Sequence, residues 1–407
     1  MTAEPPGVQL MINRSSLVVL ATVVINMTGV GLFWPILPAL VGELGGTSIS
    51  GTALMYGSIS VVFSLMQFIF APMMGALSDR FGRRPVMLVA LAGMGLDSIL
   101  LAFATSLPWI FAGRAVGGIL GATFSVANAY MADISQGKDR AAAFGLVGAA
   151  FGIGFILGPL MGGVLGEINV RLPIFCAAAL SFINVIFGWF FLKESLPVEK
   201  RRAKPLLSMN LIASARWLVH KPVVLPLAIA LLFANTVQRG MESIWVLFTS
   251  VQYGWGAREA GLSLAIVGIC FVIVQGFLVK RVVARFGESW TIGFGFTLSA
   301  VVYILLAFNK VGLAGYVGII PHVLGWGVAG PALQAMASRQ VGESEQGYMQ
   351  GTLTSLSGLA AIIGPATATG VFAWFTNAAA PINFPGAFFL GGSLLMFLSA
   401  WIGSRER

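Results

Sequence analysis

The sequence predicts an all-α membrane protein of twelve transmembrane helices in two pseudo-symmetric six-helix halves, and three observations predict it. Of its 407 residues, 57% are hydrophobic and 10% charged, whereas soluble globular chains carry about a quarter charged residues. A bilayer is therefore the solvent for most of the chain. Twelve apolar runs reach the roughly 20 residues that a spanning helix requires. Two unrelated landmarks also recur half a chain apart. Gly145, Gly154, Gly158-Pro159 and Gly162-Gly163 return in weaker form 206 residues later as Gly351, Gly358, Gly364-Pro365 and Gly370, and Asp79-Arg80-Phe81-Gly82 returns 205 residues later as Ala284-Arg285-Phe286-Gly287.

The runs of the first half fall near 17–40, 52–76, 86–106, 108–130, 141–165 and 172–192, and those of the second near 223–250, 258–280, 290–308, 312–338, 346–372 and 384–403. This divides the chain into a half at 1–192, a linker at 193–222 and a half at 223–407. The first run is too long for a signal peptide, and the residues before it, with Glu4-Pro5-Pro6 and a single Arg14, lack a basic n-region. It is read as a retained span. In the linker, Glu199-Lys200-Arg201-Arg202 precedes a stretch in which Leu207, Leu211, Trp217 and Leu218 suit an amphipathic helix on the inner leaflet, or else a plain tether. Cys176 and Cys270 lie inside spans and are expected as free thiols.

Charge sets the orientation. With an even number of spans, one side collects 19 of the 24 Lys and Arg residues, and the other holds only Arg171, Arg258 and Lys310. The positive-inside rule makes the first side cytoplasmic, with both termini there, in a cell (inner) membrane. The net charge of +9 thus reports topology and attraction to anionic headgroups, not a nucleic-acid partner.

Duplicated Gly/Pro-marked apolar segments in two halves point to a secondary transporter, with its site between the halves near the midplane. No nucleophile and base stand at workable spacing for an enzyme. His220 and His322 are isolated and make no metal site. Gly325-x-Gly327-x-x-Gly330 lies inside an apolar span without a preceding strand and reads as helix packing rather than a dinucleotide fingerprint. No cofactor is expected.

Gly75-x-Leu77-Ser78-Asp79-Arg80-Phe81-Gly82-Arg83-Arg84 joins spans two and three. This loop resembles the cytoplasmic signature of the major facilitator superfamily. Arg114-x3-Gly118 resembles that family's second signature, and the Gly145 to Gly163 pattern resembles the one found in twelve-span drug/proton antiporters. Met66-Gln67-x-Ile69-Phe70-Ala71-Pro72 and Trp245-Val246-Leu247-Phe248-Thr249 are most similar to tetracycline-efflux proteins. The resemblance implies a major facilitator fold and alternating access. It makes Gly75, Asp79, Arg80, Gly82, Arg83 and Arg84 a conformational latch, with the Asp79 carboxylate at a helix N-terminus. It makes Gly154, Gly158, Pro159, Gly162 and Gly163 a bendable, closely packed rocking face. Fixed orientation and plain close packing are the competing readings of those two segments.

Ionisable residues inside spans mark function, because each costs roughly 2.5 to 3.5 kcal/mol at a helix centre on insertion scales. Asp97, Arg114, Arg239 and Glu242 qualify, whereas Asp133 reads as a solvated or capping residue. Arg239 and Glu242 stand at i and i+3 and read as a buried pair on one helix face. Tetracycline exporters carry an acid where this chain has Asn26, a histidine where it has Phe271 and an acid where it has Ser299; Asp97 and Gln275 are retained. Proton coupling is therefore assigned to Asp97, Glu242 and Arg114, and substrate contact to Asn26, Gln67, Arg239, Glu242, Trp245 and Gln275, around a cavity lined by spans one, two, four, five and their counterparts. The resulting expectation is a monomeric exporter of a small amphipathic or drug-like compound, tetracycline-like compounds included, in exchange for protons. A proton-independent facilitator or a lipid or metabolite exporter competes with it, and a non-transporting membrane sensor more remotely.

Overall fold

The computed structural model describes residues 14–46, 48–121, 123–135, 140–201, 216–342 and 345–405, and all its regular structure there is helical. Twelve helices among the described residues are long and apolar enough to cross a membrane. In chain order they are α1 Arg14–Phe33, α2 Ile49–Phe81, α3 Arg83–Ala102, α4 in two pieces (Leu107–Leu120 and Thr123–Ile134), α5 Arg140–Ile168 and α6 Leu172–Phe191. There follow α7 Val224–Tyr253, α8 Ala257–Phe286 with a π-helical stretch at Val274–Leu278, α9 Glu288–Phe308, α10 Gly312–Arg339, α11 Gln346–Thr376 and α12 Ala387–Arg405. Helix is the form an open chain takes in hydrocarbon, since it satisfies its own backbone donors and acceptors. Pro72, Pro159, Pro321, Pro331 and Pro365 sit inside these helices, each removing one backbone donor. The amphipathic segment expected at 206–218 lies largely outside the described residues.

Contacts divide the chain into two compact units, one within Met1–Trp34 and Met66–Ser208, the other within Pro35–Leu65 and Met209–Arg407. The first half of α2 thus packs with the second unit, a division that a cut at the linker does not contain. Gly57 shows why: a Cβ there would stand 2.7 Å from the Cβ of Thr369, so α2 and α11 run nearly backbone to backbone.

Within the first unit, α5 lies against α1. A Cβ at Gly154 would meet the Val24 carbonyl oxygen at 2.7 Å, one at Gly158 the Gly31 Cα at 2.7 Å, and one at Gly162 the Leu32 Cα at 2.9 Å. These three glycines, four apart, strip one face of α5. Small residues allow such approach where lipid tails offer no hydrophobic drive for helices to associate. In the second unit α11 lies on α7 by the same device, with a Cβ at Gly364 standing 2.6 Å from the Thr236 carbonyl oxygen and 2.8 Å from the Gly240 nitrogen. Gly364 is the repeat equivalent of Gly158. Gly82 and Gly287 form another matched pair: each is the N-cap of the following helix, α3 and α9, with φ of +105° and +80°. Only glycine takes that backbone without strain.

Glycine at 158 is thus required by space and at 145 is not, since nothing lies within 4 Å of a Cβ there. Gly158→Val is expected to lower stability by about 1–3 kcal/mol, as overpacking does, while Gly145→Ala leaves it unchanged. Thermal unfolding of the purified protein in detergent measures both.

Candidate functional site

The α2–α3 loop is built around Arg83, which is buried although it stands at a helix start. Its Nη1 meets Asp79 at 2.7 Å and donates to Ser78 Oγ at 2.6 Å, and its Nε donates to Asp133 Oδ2 at 3.0 Å. Ser195 Oγ donates to the same Asp133 oxygen at 3.1 Å. Asp133 is therefore a partner of Arg83 rather than a solvated or capping residue, and it ties the end of α4 to the loop. The carboxylate at the N-terminus of α3 is also not Asp79. Glu194, just past α6, accepts the backbone N–H of Arg83 at 2.8 Å and of Arg84 at 3.3 Å. An acid there meets the open N–H groups and the positive end of the helix dipole. Arg84 reaches the Trp189 carbonyl oxygen at 2.6 Å, whereas Arg80 is exposed beside the Phe81 ring. Gly75 has open space around it, so the turn does not require its smallness.

Inside the first unit stands one closed ion pair. Asp97 on α3 is 0% exposed, and Arg114 on α4 donates from Nε to Asp97 Oδ1 at 3.2 Å while its Nη2 contacts Oδ2. The Phe33 ring lies 4.7 Å from the guanidinium carbon, adding a cation–π contact. Room for the carboxylate comes from Gly113 and Gly117, where a Cβ would stand 3.0 Å from Oδ1 and 2.5 Å from Oδ2. The sequence holds the signal for this in Gly113-Arg114-x2-Gly117, but only the neighbouring Asp97 gives those glycines a meaning. Asn26 on α1 is buried, and Gln67 on α2 donates to the Gly121 carbonyl oxygen at 3.4 Å, where α4 is interrupted.

The second unit repeats one of these devices and replaces another. Gln275, in the π-helical stretch of α8, donates to the Gly327 carbonyl oxygen at 3.2 Å, as Gln67 does at Gly121. The counterpart of Asp97, 206 residues on, is Tyr303. Its ring stacks on His322 with centroids 4.9 Å apart. Acid function appears instead on α7. Arg239 Nη1 donates to Glu242 Oε2 at 3.0 Å, and Gln238 Nε2 donates to Glu242 Oε1 at 3.2 Å. His322 Nε2 lies 3.2 Å from Gln238 Oε1, which extends the chain to α10. Sequence reasoning set His322 aside with the metal question and missed Gln238, because neither contact has a local pattern. The pair is also less closed than expected: the Arg239 side chain is 52% and the Glu242 side chain 28% exposed. One edge of it is not covered by protein. Trp245, by contrast, is 3% exposed and donates its indole N–H to Ser263 Oγ at 2.9 Å.

At the linker end, Lys221 meets Glu345 at 2.7 Å and Trp217 donates to the same carboxylate at 3.4 Å. The Lys221 hydrogen bond holds the exposed Glu345 carboxyl below its ordinary value, so this contact is complete near neutral pH and is lost as acid titrates it.

The sequence profile of the Major Facilitator Superfamily matches residues 19–365 and again 233–407. The chain belongs to the major facilitator superfamily. It is 40% identical over 361 residues to the class C tetracycline resistance protein of Escherichia coli, covering 89% of this chain and 90% of that one. It is 34% identical over 371 residues to the class B protein of Escherichia coli, covering 91% and 90%, and 28% identical over 357 residues to multidrug resistance protein 2 of Bacillus subtilis strain 168, covering 86% of each. Among solved structures, the human organic anion transporter MFSD10 superposes with a TM-score of 0.71 at 23% identity, covering 98% of this chain and 100% of that one. The nucleoside transporter NupG does so with 0.80 at 14% identity, covering 96% and 98–99%. At those identities the likeness is one of fold: twelve transmembrane helices in two pseudo-symmetric six-helix halves.

Breaking the closed pair separates pairing from mere presence of charge. Arg114→Met leaves Asp97 unpaired and is expected to cost about 3–5 kcal/mol, whereas joining it with Asp97→Leu recovers most of the loss. Thermal stability of the two variants in detergent reads the difference.

Proposed function

We propose that this major facilitator exports a small amphipathic or drug-like compound, tetracycline-like compounds included, in exchange for protons, with the cytoplasmic side holding both termini. One observation carries the reading: carboxylates inside spans occur in two settings, one sealed with a cation at Asp97–Arg114 and one open on one side at Glu242–Arg239. An exchanger needs a proton site and a substrate site that influence each other. Glu242, reachable from outside the protein, takes a proton; the neutral acid releases Arg239 to a polar or anionic group of the substrate. Asp97 is protonated only after its neighbourhood opens, so its charge state follows the conformation of the first unit. Gln67, Gln275, Arg239 and Glu242 contact the substrate; Asn26 and Trp245, closed off here, join once the helices move. The halves 1–192 and 223–407 rock about the glycine-lined pairs α1–α5 and α7–α11, with the Arg83 cluster as latch and the linker 193–222 as tether. The chain acts as a monomer.

Flux of a tetracycline and of a cationic dye into sealed inverted vesicles, with and without an imposed pH gradient, tests the reading. Gradient-driven accumulation is expected for wild type, while Asp97→Asn keeps downhill exchange and loses uphill transport, since a fixed neutral side chain cannot cycle. Equal flux with and without the gradient makes the chain a proton-independent facilitator. Because the Arg239–Glu242 pair is partly open, neutralising one member is expected to cost only about 0–1 kcal/mol of stability, so Glu242→Gln and the double variant with Arg239→Gln both fold and both lose pH-dependent transport. For topology, Val219, exposed beyond the linker's masked stretch, carries the test: Val219→Cys in a Cys176→Ser, Cys270→Ser background reacts with an impermeant thiol reagent from the cytoplasmic side alone.

A further inference from the structure

The chain from Glu242 through Gln238 to His322 has a direction that the donor inventory imposes. Arg239 can only donate, so Glu242 Oε2 is an acceptor. An ionised Glu242 also accepts at Oε1, which requires the Gln238 NH2 to face it. Gln238 Oε1 then faces His322 Nε2 at 3.2 Å and requires a proton on that nitrogen. His322 is 3% exposed, its Nδ1 has no hydrogen-bond partner, and the hydroxyl of the stacked Tyr303 has none either. The Gln238 contact is thus the hydrogen bond that decides the imidazole tautomer.

A proton added to Glu242 must go to Oε1, because Oε2 remains under the Arg239 donor. An O–H at Oε1 cannot face an NH2 group, so the Gln238 amide has to turn over, offering its oxygen to Glu242 and its NH2 to His322. Nε2 then has to accept, and the imidazole proton moves to Nδ1. We propose that His322 is a positioning residue for the proton site: protonation of Glu242 is coupled, through rotation of the Gln238 amide, to exchange of the His322 tautomer from Nε2–H to Nδ1–H. The inference rests on Glu242 taking a proton during transport, as proposed above. The balance is one proton gained by Glu242 and none by His322, which loses a proton from one nitrogen and gains one at the other by exchange with water. The other ionisable groups in reach are Arg239 on α7 itself and Tyr303 on α9. Of the remaining helices against α7, α11 carries only Tyr348, in its first turn, and α12 only Arg405, in its last. The charge state of Glu242 is therefore the variable that the imidazole senses. The gain for transport is a report of proton binding, carried from α7 to α10.

The chain has two histidines. In a His220→Asn background, ¹⁵N-histidine labelling leaves His322 alone in the solid-state NMR spectrum of the protein in proteoliposomes. An Nε2–H tautomer is expected at alkaline pH and an Nδ1–H tautomer once Glu242 is protonated, with a change in tautomer ratio of about tenfold or more, the ratio that one pH unit of differential interaction represents. In Gln238→Met and in Glu242→Gln the swap with pH disappears, and two separate variants guard against one that fails to fold. A single tautomer at every pH, direct formation of imidazolium without exchange, or a swap that survives Gln238→Met overturns the proposal. The spectrum needs no flux, so absence of gradient-driven transport refutes the proton-exchange reading and leaves this result to be decided by the tautomers.

Discussion

A charge among apolar helices has to be met by an opposite charge or by a hydrogen bond, and the polar structure of this chain follows from that requirement. At an insertion cost of roughly 2.5 to 3.5 kcal/mol per charged residue at a helix centre, the described Asp97, Arg114, Arg239 and Glu242 are all engaged with partners. Arg83 obeys the same rule at the membrane edge, where Asp79, Asp133 and Ser78 surround one guanidinium. The partners lie on different helices, so each satisfied charge also fixes one helix against another. Asp97 and Arg114 join α3 to α4, and Arg83 joins the α2–α3 loop to the end of α4. A proton that neutralises one member releases a mechanical tie as well as an electrostatic one, and this makes ion pairs suitable parts for an exchanger.

The duplicated pattern separates what the two halves share from what they do not. Shared are devices of the backbone: Gly82 and Gly287 at positive φ before α3 and α9, Gly158 and Gly364 in helix contacts too close for a Cβ, and Gln67 and Gln275 each donating to a glycine carbonyl oxygen. Not shared are the charges. Where the first unit closes Asp97 with Arg114, the equivalent ground in the second holds Tyr303 stacked on His322. Close packing of helices in lipid tolerates little change in side-chain volume, so it persists in both copies, whereas a proton site needs only one carboxylate in the right setting and can differ between them.

Spans, linker and repeat were legible because hydropathy and glycine spacing are local signals. The four intramembrane charges were legible for the same reason: a lone acid in an apolar run stands out. The partners were not. Glu194 caps α3 from 111 residues away in sequence, Asp133 meets Arg83 across 50 and His322 meets Gln238 across 84. Periodicity carries no information about such pairs, and the Asp79 carboxylate was accordingly given the helix N-terminus that Glu194 occupies. The openness of Arg239 and Glu242 was likewise unreadable, since a 3-residue spacing puts both on one face without saying what covers that face.

The departures from the tetracycline-exporter pattern gain a physical sense from these placements. Asn26 and Ser299, which stand where acids are found in those proteins, are closed off in this chain, and the Ser299 hydroxyl is held by the carbonyl oxygen of His322 at 3.4 Å. A neutral hydroxyl there can be satisfied by one backbone oxygen, while a carboxylate in the same closed place would need a cation that α9 and α10 do not supply beside it. Titratable function in the second unit is therefore compatible with the open edge of α7, where Arg239 provides the counter-charge, and with the imidazole one amide away. Relocating an acid by one helix changes which side chains sense its proton, and it leaves the surrounding helix contacts, set by glycine and small residues, free to stay as they are.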